Sequence, residues 1–294
     1  MISVFGSVNM DLVAYVPTAP KLGETVTGRS FRTIPGGKGA NQAIAASRAG
    51  ADVAFLGAVG DDSFGVVLRA TLVESGVDVS VLRQAQGSSG IAHIVVEDSS
   101  GNSIIVVPGA NGTVTGPSED DLELIAGSSA VLLQLELPME AVVSAAKAAK
   151  AAGAPVILTP APAQPLSDEL LDAVTLIVPN EHEAAAITGV EDPAKALDAL
   201  LERVPEAVIT LGSEGALYGS RDGVRLPVPA VRVQAVDTTA AGDTFVGALA
   251  VARAEGLSPE DALRFASVAA SISVQREGAS TSMPTRAEID AALS

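Results

Sequence analysis

Short apolar runs alternate along the chain with longer segments in which apolar residues recur every three or four positions. The runs have the length and β-branched content of buried strands, and the longer segments have the period of an amphipathic helix. The predicted strands lie at residues 2–5, 53–56, 130–133, 155–158, 176–178 and 207–211. The predicted helices lie at residues 39–49, 64–75, 138–152, 181–188 and 193–204. This alternation predicts an α/β fold with three layers, αβα, and a mainly parallel central sheet.

Two stretches, residues 23–34 and 89–107, break this rhythm because they are rich in β-branched residues and turns. They predict strands of a small antiparallel sheet inserted into the α/β body as a lid, with a turn at residues 97–102 (EDSSGN). The C-terminal third predicts a hairpin near residues 216–226, followed by helices at 242–255, 259–274 and 285–293. The chain has no internal repeat and no long linker, so we expect residues 1–294 to form a single domain.

Composition narrows the possible functions. The chain is 48% hydrophobic and 18% charged, which favours a sizeable core, and its formal net charge of −17 disfavours binding to nucleic acid or anionic membranes. It has no cysteine, which excludes disulfides and thiolate metal sites. The N-terminal apolar run lacks a preceding basic region, and no uncharged stretch is long enough to span a membrane. We therefore expect a cytoplasmic protein.

The segment DTTAAGDTF, residues 237–245, combines small residues with the start of an apolar helical run. Backbone N–H groups at a helix N-terminus can bind phosphate charge as it develops in transfer, so this segment is a candidate anion hole. Asp243 at the helix start could take a proton from a hydroxyl nucleophile. Alternatively, Asp243 is a simple N-cap and Gly242 only permits the turn.

The segment GGKGANQ, residues 36–42, is glycine-rich and precedes a predicted helix. It does not match a P-loop, because Arg32 stands where the first glycine is required and Gly39 replaces the Ser or Thr that would reach Mg²⁺. It does place the donors Lys38 and Asn41 on a close-approaching backbone, which suits a ligand with many hydroxyl groups. A plain glycine turn into a helix is the alternative.

Further polar residues follow other predicted strands, where ligands of parallel sheets bind. Asn9 and Asp11 come after the first strand and could accept or donate to sugar hydroxyls, or form an Asx-turn. Glu136 is one more acid at a strand end. Asn180 and Glu183 could lie near nucleotide phosphates and hydrated Mg²⁺, or form a capping box. The glycines of TLGSEG, residues 210–215, allow backbone contact with a nucleotide or merely a tight turn.

Together these segments resemble the ribokinase, or PfkB, family of carbohydrate kinases over nearly the whole chain. The segments NMD, GGKGANQ, PNEHE, TLGSEG and DTTAAGD occur in the family's order. The broader family usually has glycine at the position of Ala240, and alanine there is typical of the ribokinase branch.

The resemblance implies a role for each matching residue. Asp243 would be the catalytic base, and the backbone of Ala240, Ala241 and Gly242 would form the anion hole. The sugar would be held by Asn9, Asp11, Gly37, Lys38, Asn41, Glu136 and Asp243. ATP would be contacted by Asn180, Thr210, Gly212, Ser213, Gly215, Gly242 and Ser267. Glu183 would act on Mg²⁺ through water, and a monovalent cation such as K⁺ would be surrounded by Asp237, Thr239, Ser273, Arg276, Gly278 and Ser282.

The sequence therefore predicts an ATP-dependent kinase that phosphorylates D-ribose at O5. The same chemistry on 2-deoxyribose, fructose or a nucleoside remains an alternative, as does a non-catalytic sugar-binding protein. In the predicted lid strand, Ala92 and Ile94 alternate with Ile91 and Val95, so both faces carry apolar side chains. We expect one face to cover the sugar and the other to pack against the lid of a second subunit in a homodimer.

Overall fold

A mainly parallel sheet of eight strands forms the centre of the molecule in the computed structural model, which describes residues 1–99 and 101–294. In chain order the strands are β1 Ile2–Phe5, β2 Asn9–Val16, β3 Ser30–Gly36, β4 Val53–Leu56, β5 Ala58–Gly60, β6 Arg83–Ala85, β7 Gly90–Glu97, β8 Asn102–Val107, β9 Ala130–Leu133, β10 Val156–Leu158, β11 Leu176–Ile177, β12 Glu206–Thr210, β13 Ala216–Ser220 and β14 Arg225–Val228. The α-helices are α1 Lys38–Arg48, α2 Ser63–Glu74, α3 Glu119–Ala126, α4 Met139–Ala152, α5 Asp168–Ala173, α6 Glu181–Thr188, α7 Pro193–Leu201, α8 Ala241–Ala254, α9 Pro259–Ser273 and α10 Arg286–Leu293.

The central sheet has the order β14-β13-β12-β11-β10-β9-β1-β4. Neighbours from β4 to β12 pair in parallel, and the antiparallel pairs are β12 with β13 and β13 with β14. The carboxyl ends of the parallel strands therefore meet at one edge, where side chains from distant parts of the sequence can converge.

Two apolar clusters cover the two faces of this sheet. Ile2 and Val4 of β1 pack with α1, α8 and α9, whereas Phe5 faces the cluster that contains α4 and α7. Because side chains alternate along a strand, each buried strand contributes to both clusters. The predicted three-layer α/β fold is confirmed.

A second sheet of four strands, ordered β3-β2-β7-β8, projects from the sheet edge that carries the strand carboxyl ends; we call it the lid. β2 pairs antiparallel with β3 and parallel with β7, and β7 pairs antiparallel with β8. Ser100, within the predicted turn at residues 97–102, lies outside the described residues. β5 and β6 form a separate two-stranded sheet.

The lid differs from the sequence-based prediction in three respects. It is a mixed sheet and not an antiparallel one, because β2 and β7 pair in parallel. Its strand β2, which starts at Asn9, was not predicted as a strand, and Asn9 pairs with both Gly36 and Gly90 of neighbouring strands. Residues 23–29 contain no strand in the described chain, and β3 begins only at Ser30. The helices α3 and α5 were also not predicted; both begin with serine caps, at Ser118 and Ser167.

No helix among residues 1–99 and 101–294 is both long and apolar enough to cross a membrane.

Candidate active site

The start of α8 lies at the carboxyl-end edge of the central sheet. The residue before the helix, Ala240, has φ 56°, and it is the only non-glycine residue with positive φ in the described chain. This left-handed conformation turns the chain sharply into the helix. A Cβ placed on Gly242 would meet nothing within 4 Å, so the Gly242 side of the first helical turn faces open space. The N–H of Ala241 donates to Thr238 O at 3.2 Å.

Asp243 lies in the same turn and is 9% exposed. Its Oδ2 accepts a hydrogen bond from Asn41 Nδ2, and its Oδ1 accepts one from Gln42 Nε2, both at 3.1 Å. Burial raises the pKa of Asp243 to about 6. The positive charge of Lys38 and the two amide hydrogen bonds oppose this shift. Asp243 is therefore a carboxylate near neutrality, with a basicity suited to taking a proton.

On one side of Asp243, charged residues from three distant segments converge around Lys38. The backbone N–H of Lys38 and the hydroxyl of Ser7 both donate to Glu136 Oε2. Burial raises the pKa of Asp11 to about 7, and the charges of Glu136 and Asp243 add to that shift. Burial alone would lower the pKa of Lys38, but the nearby acids, Asp243 first, raise it above its ordinary value.

The two glycines at the start of α1 are required by this packing. Gly37 has φ 92°, and a Cβ on it would lie 2.8 Å from Asn9 N. A Cβ on Gly36 would lie 2.5 Å from Asp11 Oδ2. The glycines therefore let β2 and the start of α1 approach closely enough to bring Asp11, Lys38 and Asn41 around one space.

Asn111, in the 3₁₀ turn Gly109–Thr113 after the lid, is a site residue that the sequence analysis did not identify. It is 1% exposed, and its Nδ2 donates to Asn9 Oδ1 at 2.7 Å and to Val8 O at 3.1 Å. Its Oδ1 accepts from the N–H of Val8 at 3.1 Å. Asn111 therefore fixes the Asn9 amide with Asn9 Oδ1 directed toward Asn111. The Asn9 amino group is then free to donate to a ligand.

On the other side of Asp243, a cleft of about 640 Å³ runs between the loops after β12 and β14 and the helix α9. Six of the predicted nucleotide contacts line it: Thr210, Gly212, Ser213, Gly215, Gly242 and Ser267. Its apolar walls come from Val231, Val233, Phe245, Ala270 and Val274, which were not predicted. A cleft with apolar walls and glycine-rich loops suits a nucleotide base and its phosphates.

Asn180 and Glu183 form the capping box of α6 that was the alternative interpretation of their spacing. Asn180 Oδ1 accepts from the N–H of Glu183 at 2.8 Å, and Glu183 Oε2 accepts from the N–H of Asn180 at 2.9 Å. Neither residue lines the 640 Å³ cleft, but Asn180 pairs with Thr210, which does. Burial raises the pKa of Glu183, and the charge of Lys38 opposes that shift.

Asp237 joins the loop before α8 to the turn that follows α9. Its Oδ1 accepts from both the N–H and the hydroxyl of Thr239, at 2.9 and 2.6 Å, and its Oδ2 accepts from the N–H of Gly278 at 2.9 Å. Burial alone would raise the pKa of Asp237, but these hydrogen bonds lower it. Ser273 Oγ is buried without a hydrogen-bond partner at the start of this turn.

The remaining residues predicted around a cation lie on the same turn. The hydroxyl of Ser282 donates to Ala279 O at 2.7 Å. Arg276 Nη2 forms an ion pair with Glu288 Oε1 at 2.5 Å. Because the guanidinium is engaged in this way, only the backbone of Arg276 is available to a ligand here.

Comparison with known proteins identifies the family. A family model described as "pfkB family carbohydrate kinase" matches residues 1–286. The chain belongs to the pfkB family of carbohydrate kinases. It is 45% identical to the ribokinase of Bacillus subtilis, covering 100% of this chain and 99% of that one. It is 44% identical to the ribokinase of Haemophilus influenzae, covering 98% and 96%.

Its fold is similar to that of the Arabidopsis thaliana ribokinase complexed with ribose and ATP, with a TM-score of 0.93. The two chains are 36% identical, and the match covers 99% of this chain and 98% of that one. In this pfkB family kinase, Asp243 lies between two regions of different character. One is lined by charged and amide side chains, and the other is the mainly apolar cleft. The family membership predicted from the sequence motifs is confirmed.

Proposed function

We propose that this kinase transfers the γ-phosphoryl group of ATP to O5 of D-ribose, giving ribose 5-phosphate and ADP. The observation that carries the proposal is the position of Asp243. Asn41 and Gln42 contact its carboxylate from α1, whereas its neighbour Gly242 lines the apolar cleft. An acceptor hydroxyl and a γ-phosphorus can therefore meet beside one carboxylate.

Ribose as the acceptor is supported by the relatives, two of which are ribokinases that share 44% and 45% identity with the chain over nearly its full length. ATP as the donor is supported by the apolar cleft and by the related Arabidopsis structure, which holds ribose and ATP. In the proposed arrangement, Asn9, Asp11, Gly37, Lys38, Asn41 and Glu136 bind the sugar. The nucleotide is bound by Asn180, Thr210, Gly212, Ser213, Gly215, Gly242 and Ser267.

The transfer needs one proton acceptor and one site for developing charge. Asp243 takes the proton of the O5 hydroxyl, and O5 forms a bond to the γ-phosphorus as the bond to the β,γ-bridging oxygen breaks. ADP leaves with the electron pair of that bond. The backbone of Ala240, Ala241 and Gly242 at the N-terminus of α8 faces the charge on the transferred group.

Glu183 is the residue that fits a role toward Mg²⁺. It is half-buried in the charged environment of Lys38, with Oε2 bound by the N–H of Asn180, so Oε1 remains for a water ligand of the ion. Mg²⁺ would supply neutralisation of phosphate charge. Glu183 would orient a water molecule and would not be a direct ligand.

A monovalent cation fits between the loops that Asp237 joins. The candidate ligands are the Asp237 carboxylate, the backbone of Thr239, Ser273, Arg276 and Gly278, and Ser282. The lowered pKa of Asp237 keeps its charge at neutral pH, and the buried, unpartnered Ser273 Oγ lies on the same turn. A bound K⁺ would supply positive charge that holds the two loops together.

The lid supports a homodimer. Every residue of β8 is exposed, including Ile104 at 54% and Ile105 at 67%, which alternation directs to opposite faces. An apolar edge strand with both faces in water is an aggregation hazard unless it is covered. One face would cover the acceptor and the other would pack on the lid of a second copy. A cytoplasmic location agrees with the proposed use of ATP.

The test is ADP release by the purified protein with D-ribose, 2-deoxyribose, D-fructose and adenosine as separate acceptors. We expect D-ribose to give the highest kcat/KM and NMR of the product to show phosphate at O5. A clear preference for another acceptor would make the ribose assignment wrong. Sugar binding without any acceptor-dependent ADP release would favour the non-catalytic alternative.

A further inference from the structure

Gln42, one residue after Asn41 on α1, contacts Asp243 from inside the protein. Its side chain is fully buried, at 0% exposure. Its Nε2 donates to Asp243 Oδ1 and to Thr159 Oγ1, each at 3.1 Å. Both hydrogens of this amino group therefore have acceptors, and one of those acceptors is the carboxylate at the centre of the site.

Gln134, directly after β9, contacts the oxygen end of the Gln42 amide, opposite the amino group that faces Asp243. Gln134 Nε2 donates to Gln42 Oε1 at 2.7 Å. With Gln134 in this orientation, a reversed Gln42 amide would bring two amino groups together on one side and two acceptors, Gln42 Oε1 and Asp243 Oδ1, together on the other. Gln134 is 1% exposed, so water cannot easily relieve such a mismatch.

The distance between α1 and α8 is fixed by close backbone contact one turn further along α8. A Cβ on Gly247 would lie 2.6 Å from Ala45 Cβ and 2.8 Å from Gln42 O. The helices therefore meet at Gly247 with no intervening side chain, and Asp243 lies four residues before this contact on the same face of α8. The contact holds Gln42 within reach of the carboxylate.

We propose that Gln42 is a positioning residue for Asp243, and that Gln134 orients the Gln42 amide. The proposal rests on the proposed function, in which Asp243 takes the acceptor proton. A carboxylate held at both oxygens by Asn41 and Gln42 keeps one rotamer, so its position relative to the acceptor hydroxyl is set before binding. The Gln42 hydrogen bond also favours the charged form of Asp243.

The test compares wild type with Gln42→Met, which keeps the length of the side chain but removes its hydrogen bonds. We expect kcat to fall by about 10²-fold, the effect of misplacing a reacting group by about 1 Å, while KM for ribose and for ATP changes little. We also expect the acid limb of the kcat–pH profile to move to higher pH. Gln134→Met should also lower kcat and move the acid limb to higher pH, in each case by less than Gln42→Met does. The matched control, Gln84→Met at the exposed central residue of β6, should change neither kcat nor the pH profile.

A direct titration separates this proposal from the proposed function. Carboxyl ¹³C NMR should find a higher pKa for Asp243 in Gln42→Met than in wild type, whichever acceptor the enzyme uses. In an Asp243→Asn background, Gln42→Met should lower kcat no further, because the two residues act as one unit. An unchanged Asp243 pKa, or independent effects in the double variant, would overturn the proposal. If the pKa of Asp243 is raised in Gln42→Met but the wild type phosphorylates no acceptor, the proposed function is wrong and Gln42 has no role in catalysis.

Discussion

The backbone N–H of Gly278 donates a hydrogen bond to Asp237 Oδ2 at 2.9 Å, which ties together two loops that are 41 residues apart in sequence. One of these loops leads directly into α8 and Asp243. The other begins at the buried Ser273, whose Oγ has no hydrogen-bond partner. A change at this junction can therefore reach the candidate anion hole without any contact to the substrates.

Replacing Asp237 tests the cation site. K⁺ should raise kcat of the wild type more than Na⁺ does, because the smaller ion would require the surrounding carbonyl groups to contract. Asp237→Ala should abolish this response while some basal turnover remains. Turnover is measured at matched ionic strength in potassium, sodium and a bulky organic cation. The control is Asp222→Ala, an exposed acid in the turn between β13 and β14. Equal wild-type rates in all three salts would rule the site out.

Asp11 should make acceptor binding dependent on pH. Burial and the charge of Glu136 raise its pKa to about 7, so the carboxylate is protonated as pH falls through that value. A neutral carboxyl is a weaker acceptor for sugar hydroxyls than a carboxylate. The KM for ribose should therefore rise below about pH 7, while the KM for ATP stays nearly constant.

The matched variant is Asp11→Asn, which cannot titrate. It should have a high KM for ribose that no longer varies with pH in this range. A selective loss of ATP affinity in Asp11→Asn would show instead that the acceptor site and the nucleotide site are assigned the wrong way round.

Asn111 should affect the acceptor through Asn9. Asn111→Ala removes three hydrogen bonds and leaves Val8 and Asn9 with buried unpaired groups, which costs about 1–3 kcal/mol of stability for each unsatisfied group. Because Asn9 is then free to rotate, the KM for ribose should rise more than the KM for ATP. Asn102→Ala on the exposed strand β8 is the control. A variant with wild-type ribose KM would show that Asn111 only stabilises the fold.

The sequence predicted the central sheet well because its strands are buried on both faces. Such strands are continuous apolar runs, and the predicted residues 2–5 and 53–56 agree with β1 and β4. The lid strand β2 was not predicted as a strand because it begins with the polar residues Asn9 and Asp11. Its pairing partners, β3 and β7, are distant in sequence, so no local pattern reveals it.

Motifs identified the candidate residues around Asp243, but not Gln134 and Asn111, which form hydrogen bonds to Gln42 and Asn9. Gln134 carried a usable signal, since a polar side chain between the apolar residues Leu133 and Leu135 requires a buried partner. Asn111 carried no such signal, because its contact with Asn9 depends on the lid topology. The left-handed conformation of Ala240 explains why glycine is the usual residue at this position in the wider family.

The lid should form the contact between subunits. Light scattering of the wild type should give the mass of a dimer, and Ile105→Glu on β8 should shift it toward a monomer. The control is Val66→Glu on α2, because Val66 is 69% exposed, close to the 67% of Ile105, but lies outside the lid. A fully active wild-type monomer at working concentration would refute this interface.

The most direct test of the account is the turnover of Asp243→Asn with ribose and ATP. Asparagine keeps the size of the side chain but cannot take a proton. The alternative of Asp243 as an N-cap is wrong, because the N-cap of α8 is Ala240 and no side chain of the described residues caps this helix. We expect kcat to fall by about 10²–10⁴-fold, the usual contribution of a general base, with nearly unchanged circular dichroism. A folded Asp243→Asn variant whose kcat stays within a few-fold of wild type would contradict the assignment of Asp243 as the base.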